Sequence, residues 1–392
     1  MTTNELKEQV YSELTTNILP FWIGKMTDPE GGFFGRMDGL GRIDKDSPRG
    51  LILNARILWT FSAAYRVLGK EEYLASARWA KEEILRKFRD SEYGGAYWCL
   101  DADSAPADTK KQFYAIAFAI YGLAEYYRVT SDPEALGCAK DFFRCIEEHS
   151  RDKVLGGYIE ACTREWGPIE DMRLSDKDRN DAKTMNTHLH ILEGYTNLYR
   201  IWKSEELGEA LRSLTELFLD RIAGLDGHLQ LFFDEDWTLK STMQSFGHDI
   251  EASWLIREAA LVLGDPGLIS RATEVCHKIA EAGLEGFSIS GGMVYEWDPR
   301  TGKRDGDRHW WVQAETVVGC FDQWQTTSDE RYLEYSKAAW RFIRNFLICP
   351  DGEWYWSIRE DGSANTDDDR AGFWKCPYHN SRMCLELIER IK

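Results

Sequence analysis

One short pattern returns six times along this 392-residue chain, and it limits the fold more than any other feature. The pattern is a Gly pair or Asp-Gly, then alternating aromatic or apolar residues, then a second turn. It reads Gly31-Gly32-Phe33-Phe34-Gly35, Gly94-Gly95-Ala96-Tyr97-Trp98, Gly156-Gly157-Tyr158, Asp226-Gly227-His228-Leu229, Gly291-Gly292-Met293-Val294-Tyr295 and Asp351-Gly352-Glu353-Trp354-Tyr355-Trp356. The second glycines are 63, 62, 70, 65 and 60 residues apart. Glycine in a tight turn followed by period-two aromatics predicts a hairpin. Between hairpins lie pairs of amphipathic stretches, such as Leu51–Val67 with Glu72–Phe88 and Gln112–Tyr127 with Pro133–Glu148, apolar at helical spacing. Pro133 and Pro266 fall near helix starts, where a missing N–H costs nothing.

Six copies of helix, helix and hairpin use up the chain. An open superhelical stack of the pairs would need polar caps, and neither terminus resembles one. The predicted architecture is therefore an all-α (α/α)6 barrel, with six inner and six outer helices and short β-hairpins at one end. It takes residues 1–392 as a single catalytic domain. The open stack is the competing arrangement.

The formal charge of −18 argues against nucleic acid or an anionic membrane face as partner and leaves neutral or cationic small molecules. No secretory signal and no run of about 18 apolar residues is visible, which predicts a soluble, cytoplasmic protein. Nine cysteines without a CxxC pair read as free thiols of a reducing compartment.

The first helix after each hairpin opens on unusual polar groups: Asn54-Ala55-Arg56, Gln112-Phe113-Tyr114, Asn186 through His190, His248-Asp249-Ile250-Glu251, His309 through Glu315, and Tyr378-His379-Asn380. In a barrel these N-terminal ends share one mouth, so the groups converge on one pocket. Asn186 and His190, His248 and Glu251, and Trp311 and Glu315 are spaced three or four apart, each pair on one helical face. His188 points elsewhere and reads as structural; His149, His228 and His277 read as surface or packing residues. Three chemistries compete for the pocket. Metal binding lacks an HExxH pair, and inverting glycoside hydrolysis needs only two carboxyls, for which Glu251 and Glu315 are candidates. Proton traffic near neutral pH is the third, and it suits three histidines.

Lys183 through Glu193, Gly247 through Glu251, His309 through Glu315 and Phe373 through His379 together resemble the motifs of the N-acylglucosamine 2-epimerase superfamily, in order along essentially the entire chain. The resemblance implies the (α/α)6 barrel. It also implies inversion at C2 of the reducing-end glucose of cellobiose or lactose, with no cofactor and no metal. Carried over, His248 and His379 match the acid/base pair, His190 the third histidine, and Arg56 the arginine that holds the sugar's oxygens. Tyr114, Asn186, Glu251, Trp254, Trp311, Glu315 and Trp374 match substrate contacts. Asp178 is a weaker match, in the charged segment Leu174–Ala182, read as a loop over the mouth. Monosaccharide 2-epimerases and aldose-ketose isomerases share much of this set, so the reaction class is better specified than the sugar. The implied partner is a small sugar, with the protein a monomer or weak homo-oligomer.

Overall fold

The computed structural model describes residues 1–175 and 178–392. Its inner helices are Leu51–Leu68, Phe113–Thr130, Met185–Ile201, Phe246–Leu263, Trp310–Thr327 and Tyr378–Arg390. Each packs on the next, and Tyr378–Arg390 packs back on Leu51–Leu68, so the ring closes and the open stack is ruled out. These helices are buried on nearly every side because both the barrel centre and the outer ring cover them. Fully buried Leu53, Ile57, Phe118, Ile191 and Val317 are typical, each worth about 1.5–3 kcal/mol relative to exposure.

Inner helices turn tightly into outer ones. Gly69, Ser131, Gly264 and Ser328 stop four of them in the left-handed conformation. Asp132, Asp265 and Asp329 then cap the outer helices that follow, with Pro133 and Pro266 at the first helical position. Several outer helices end in one widened turn, as where the Arg89, Ala223 and Ile348 amides donate to Ile84, Phe218 and Ile343 carbonyls five residues back. That extra residue buries Phe88, Ile222 or Leu347 before the chain enters its hairpin.

The six glycine turns are all present. Gly32, Gly95, Gly157, Gly227, Gly292 and Gly352 have φ between 66° and 99°, and the flanking residues pair across each turn. Gly157 is the tightest: a Cβ there would lie 2.4 Å from Trp237 and 2.7 Å from the His188 ring. A second set of bridges joins the short strand before one inner helix to the hairpin of the next repeat, as Gln112 pairs with Ala161 and His309 with Ser357. The sixth is the single bridge Met37↔Ala371. Buried lysines brace this rim: Lys111 Nζ lies 2.7 Å from Asp90, Lys183 2.7 Å from Asp152 and Lys375 2.7 Å from Glu353.

One expectation changes. The sixth helix pair is not contiguous in sequence, because the partner of the last inner helix is the N-terminal helix Thr3–Glu13. The chain closes its ring by joining its two ends, which is why neither terminus looks like a cap. Among the described residues no helix is long and apolar enough to cross a membrane.

Candidate active site

The rim fixes the N-terminal turns of all six inner helices at one end of the barrel, and their side chains meet there in layers. Tyr114, Asn186, His248, Trp311 and His379 come from first turns, with Trp374 on the segment leading into the last helix. Arg56, His190, Glu251 and Glu315 project from second turns, about 5 Å deeper along the axis.

Three histidines surround the pocket, each fixed at Nδ1. His190 Nδ1 lies 2.9 Å from Glu193 Oε2, His379 Nδ1 2.7 Å from Glu315 Oε1, and His248 Nδ1 2.8 Å from Ser245 Oγ. Their Nε2 atoms have no hydrogen-bond partner among the described residues. His188 differs: its Nδ1 is 2.6 Å from the Thr184 carbonyl and its Nε2 accepts the Tyr158 amide at 2.9 Å. Both nitrogens are consumed, burial lowers its pKa to about 4, and it supports the wall as a neutral ring.

Arg56 is buried, donates to the Tyr114 hydroxyl at 2.8 Å and lies over Phe118, 4.2 Å from its centroid. Its Nε and the Asn186 Oδ1 are buried without a partner among the described residues, a donor and an acceptor left for a ligand's hydroxyls. Trp311 packs beside His248 and His379, with centroids 4.8 and 5.6 Å away. Trp374 stands 6.1 Å from Tyr114 and 6.0 Å from Trp98, making the opposite wall aromatic as well. Tyr295 stacks on His309 at 4.1 Å and meets Trp311 edge-on at 6.0 Å, so the aromatic lining continues outward.

Burial dominates the protonation states. It lowers the His248 pKa to about 3 and holds His379 well below 6.5, with Arg56 and Arg382 adding to the effect at His379. His190 is lowered too, despite Glu193. All three imidazoles are therefore neutral in the free pocket near neutral pH. Glu251 is pushed up to about 8 by burial and by Glu315, whereas Arg382 and His190 hold Glu193 down at about 2.

Two predicted residues sit differently from the rest. Trp254 lies a turn deeper, 2% exposed, its indole N–H 3.1 Å from Glu315 and its ring between Arg382 and Arg390. It lines a cavity with Arg257, Glu258 and Arg390, and its indole N–H holds Glu315. Asp178 lies in a long irregular connection after Cys162, bonded to the Ser175 hydroxyl at 2.7 Å and outside the histidine network. Asp176 and Lys177 of the predicted loop lie outside the described residues.

Sequence reasoning missed the group beneath the histidines. Arg382 is fully buried and donates 2.6 Å bonds to both Glu251 and Glu315, and it also bonds Glu193 and the Tyr378 hydroxyl. A signal existed: His190, His248 and His379 are each followed three residues on by a charge, Glu193, Glu251 and Arg382. This arrangement also bears on the competing chemistries. Oxygens of Glu251 and Glu315 and a His379 nitrogen lie within 4.8 Å of one another, but the guanidinium already occupies the place a cation would take between the two carboxyls. That spacing is also short of the roughly 6.5–9.5 Å that inverting glycosidases need between carboxyls.

The chain matches the N-acylglucosamine 2-epimerase (GlcNAc 2-epimerase) family over residues 32–382. It is 56% identical over 386 residues to a cellobiose 2-epimerase of Bacteroides fragilis, covering 98% of both proteins. A cellobiose 2-epimerase of Ruminococcus albus is 40% identical over 97% of this chain and 98% of the relative. The solved structure of cellobiose 2-epimerase from Bacillus thermoamylovorans superposes with a TM-score of 0.94 at 41% identity, over 99% of this chain and 100% of that one. Repeat and closed ring thus agree with the comparisons, and the chain belongs to the N-acylglucosamine 2-epimerase family.

Proposed function

We propose that the pocket inverts C2 of the reducing-end glucose of cellobiose and of related β-1,4-linked disaccharides such as lactose, acting as a carbohydrate epimerase. The observation that carries this reading is the trio of imidazoles held at Nδ1 with Nε2 unpartnered around one aromatic-walled pocket. The similarity to cellobiose 2-epimerases over nearly the whole chain supports the sugar.

The chemistry follows from the substrate. C2–H is not acidic in a closed pyranose, but ring opening places it alpha to an aldehyde. A neutral imidazole of the His248/His379 pair then removes the C2 proton, leaving imidazolium and an enediolate. Rotation about C2–C3 presents the other face, and the second histidine delivers a proton there. That histidine, neutral in the free pocket, takes its proton from solvent at this step, and the first imidazolium returns its proton to solvent to complete the cycle. The enediolate's own negative charge favours the cation once it forms. Arg56 and His190 stabilise the anionic oxygen, a role in which one placed donor typically supplies about 2.7–4 kcal/mol. Asn186, Tyr114 and Glu251 hold hydroxyls, and Trp311 and Trp374 stack on the apolar faces of the sugar rings. Asp178 and its loop would meet the second ring.

No step calls for a cofactor or metal. The whole pocket is built from one chain, so a monomer or a weak homo-oligomer can act, and the ring joining Thr3–Glu13 to Tyr378–Arg390 supports residues 1–392 as one catalytic domain. Nine free thiols, most of them buried, fit a reducing cytoplasm.

Incubation with cellobiose in heavy water, followed by proton NMR, tests the reading. The expected product is 4-O-β-glucosyl-mannose carrying deuterium at C2. Unlabelled product eliminates the enolisation route, free glucose indicates hydrolysis, and a ketose indicates that the enediolate is reprotonated at C1.

A further inference from the structure

In the proposed reaction His190, His248 and His379 act at the reacting carbon and its oxygens, and what joins two of them, His190 and His379, lies one layer below. The charges three residues on, Glu193, Glu251 and Arg382, sit one helical turn deeper on the same faces. Ring closure brings the three together. Arg382 Nη1 bonds Glu193, and Nη2 bonds Glu251 and Glu315 at 2.6 Å each. Glu193 in turn holds His190 and Glu315 holds His379. A continuous chain of bonds therefore runs from His190 through Glu193, Arg382 and Glu315 to His379, across the floor of the pocket. His248, on Ser245, is outside it.

We propose that Glu193 and Arg382 are positioning residues that couple two of the histidines: one rigid guanidinium sets both carboxylates that orient His190 and His379, so a change at Glu193 is felt at His379, which Glu193 does not touch. A guanidinium suits this task because its donors lie in one plane at fixed angles. Moving one carboxylate therefore rotates the other. Tyr378, which bonds both Arg382 and Glu193, fixes the near edge of the plane. Each member is buried, and a carboxylate or guanidinium stripped of its ion-pair partner there is strongly unfavourable. A mere structural clasp would hold the helices together equally well, but it would pass to His379 only the through-space field of Glu193, which Tyr378→Phe, changing no charge, leaves untouched.

The kinetic part of the test rests on the epimerase reading; the spectroscopic part does not. The full-length protein labelled with 15N-histidine is compared with Glu193→Gln, which keeps volume and a carbonyl acceptor but removes the charge. Ring-nitrogen signals of both His190 and His379 should shift, while those of His188 and His248 stay in place. With cellobiose, kcat should fall roughly 10–100-fold with KM changed far less, as for loss of a charged hydrogen bond. Glu193→Gln and Glu315→Gln combined should cost little more than the worse single change, because both break the same line. A His379 signal that does not respond, or costs that multiply independently, overturns the coupling. If Glu193→Gln does not fold, Tyr378→Phe removes only the hydroxyl on Arg382 and must produce the same paired shifts in smaller size. If the unmodified protein converts no cellobiose, the function is misassigned, and the paired shifts still decide the coupling.

Discussion

His379 and His248 face the same pocket from different inner helices, yet their far nitrogens end on different groups. Behind His379 stands Glu315, which also accepts from Arg382 and from the Trp254 indole, so its oxygens are surrounded by donors. As a carboxylate it accepts from His379, which puts the proton on Nδ1 and leaves an open lone pair on Nε2. Behind His248 stands the Ser245 hydroxyl, which donates or accepts with equal ease. In the proposed reaction this suits His379 to act as a base in one tautomer, and lets His248 exchange tautomers as it gains and loses a proton. One histidine is fixed by a network spanning the barrel, and the other by a residue three positions earlier in its own chain.

Removing either histidine gives the largest effect. His379→Ala and His248→Ala should each reduce epimerisation by about 10²–10⁴-fold while leaving the circular dichroism spectrum unchanged. Their residual exchange separates them. If His379 serves the glucose face, His248→Ala still washes solvent deuterium into C2 of unreacted cellobiose without forming the epimer. His379→Ala then exchanges only the mannose-ended disaccharide. The opposite pattern reverses the roles, and absence of exchange in both variants breaks the comparison.

Glu315→Gln comes next. An amide can donate to Nδ1, which lets His379 carry its proton on Nε2 and lose its lone pair. The expected drop in kcat is roughly 10–100-fold, read at saturating cellobiose. A drop no larger than that of Ser245→Ala would show that the carboxylate gives His379 no special standing.

The pH profile tests the shared burial of the two rings. A base must be neutral to act, and burial lowers both pKa values, His248 to about 3 and His379 well below 6.5. Lowering the pH through 6.5 should therefore leave kcat/KM flat, with the acid limb appearing further down. On the alkaline side Glu251, raised to about 8, loses its proton and adds negative charge beside Glu315. Activity should fall near there, and Glu251→Gln should move that limb to higher pH. An acid limb centred on 6.5 would mean the histidines are solvated in the working enzyme.

The sequence made half of this arrangement legible. Polar groups in the first turns of buried helices stand out, since His, Glu and Arg there must be matched by partners or a ligand, and pairs three or four apart assign them to one face. Glu193 and Arg382 escaped because a charge in mid-helix ordinarily lies on a solvated face, and only the closed ring sets three such charges against each other. The glycine turns fixed the repeat, but the joining of Thr3–Glu13 to the last inner helix depends on contacts between chain ends that no local pattern records. Trp254 is a substrate contact by resemblance alone, and one further turn of helix sets it against Glu315 and Arg382.

The smallest effect belongs to Ser245. Ser245→Ala removes one neutral hydrogen bond from His248, worth about 0.5–1.5 kcal/mol, so kcat should fall by only about 3–10-fold. The value lies in its direction of dependence. If the hydroxyl serves by letting His248 change tautomer, the loss should fall on proton delivery and reprotonation. Deuterium at C2 of recovered cellobiose would then accumulate faster relative to epimer than in the unmodified protein. If the hydroxyl merely orients the ring, exchange and epimerisation should decline together. The two histidines would then differ in how tightly they are held, not in what they can do with a proton.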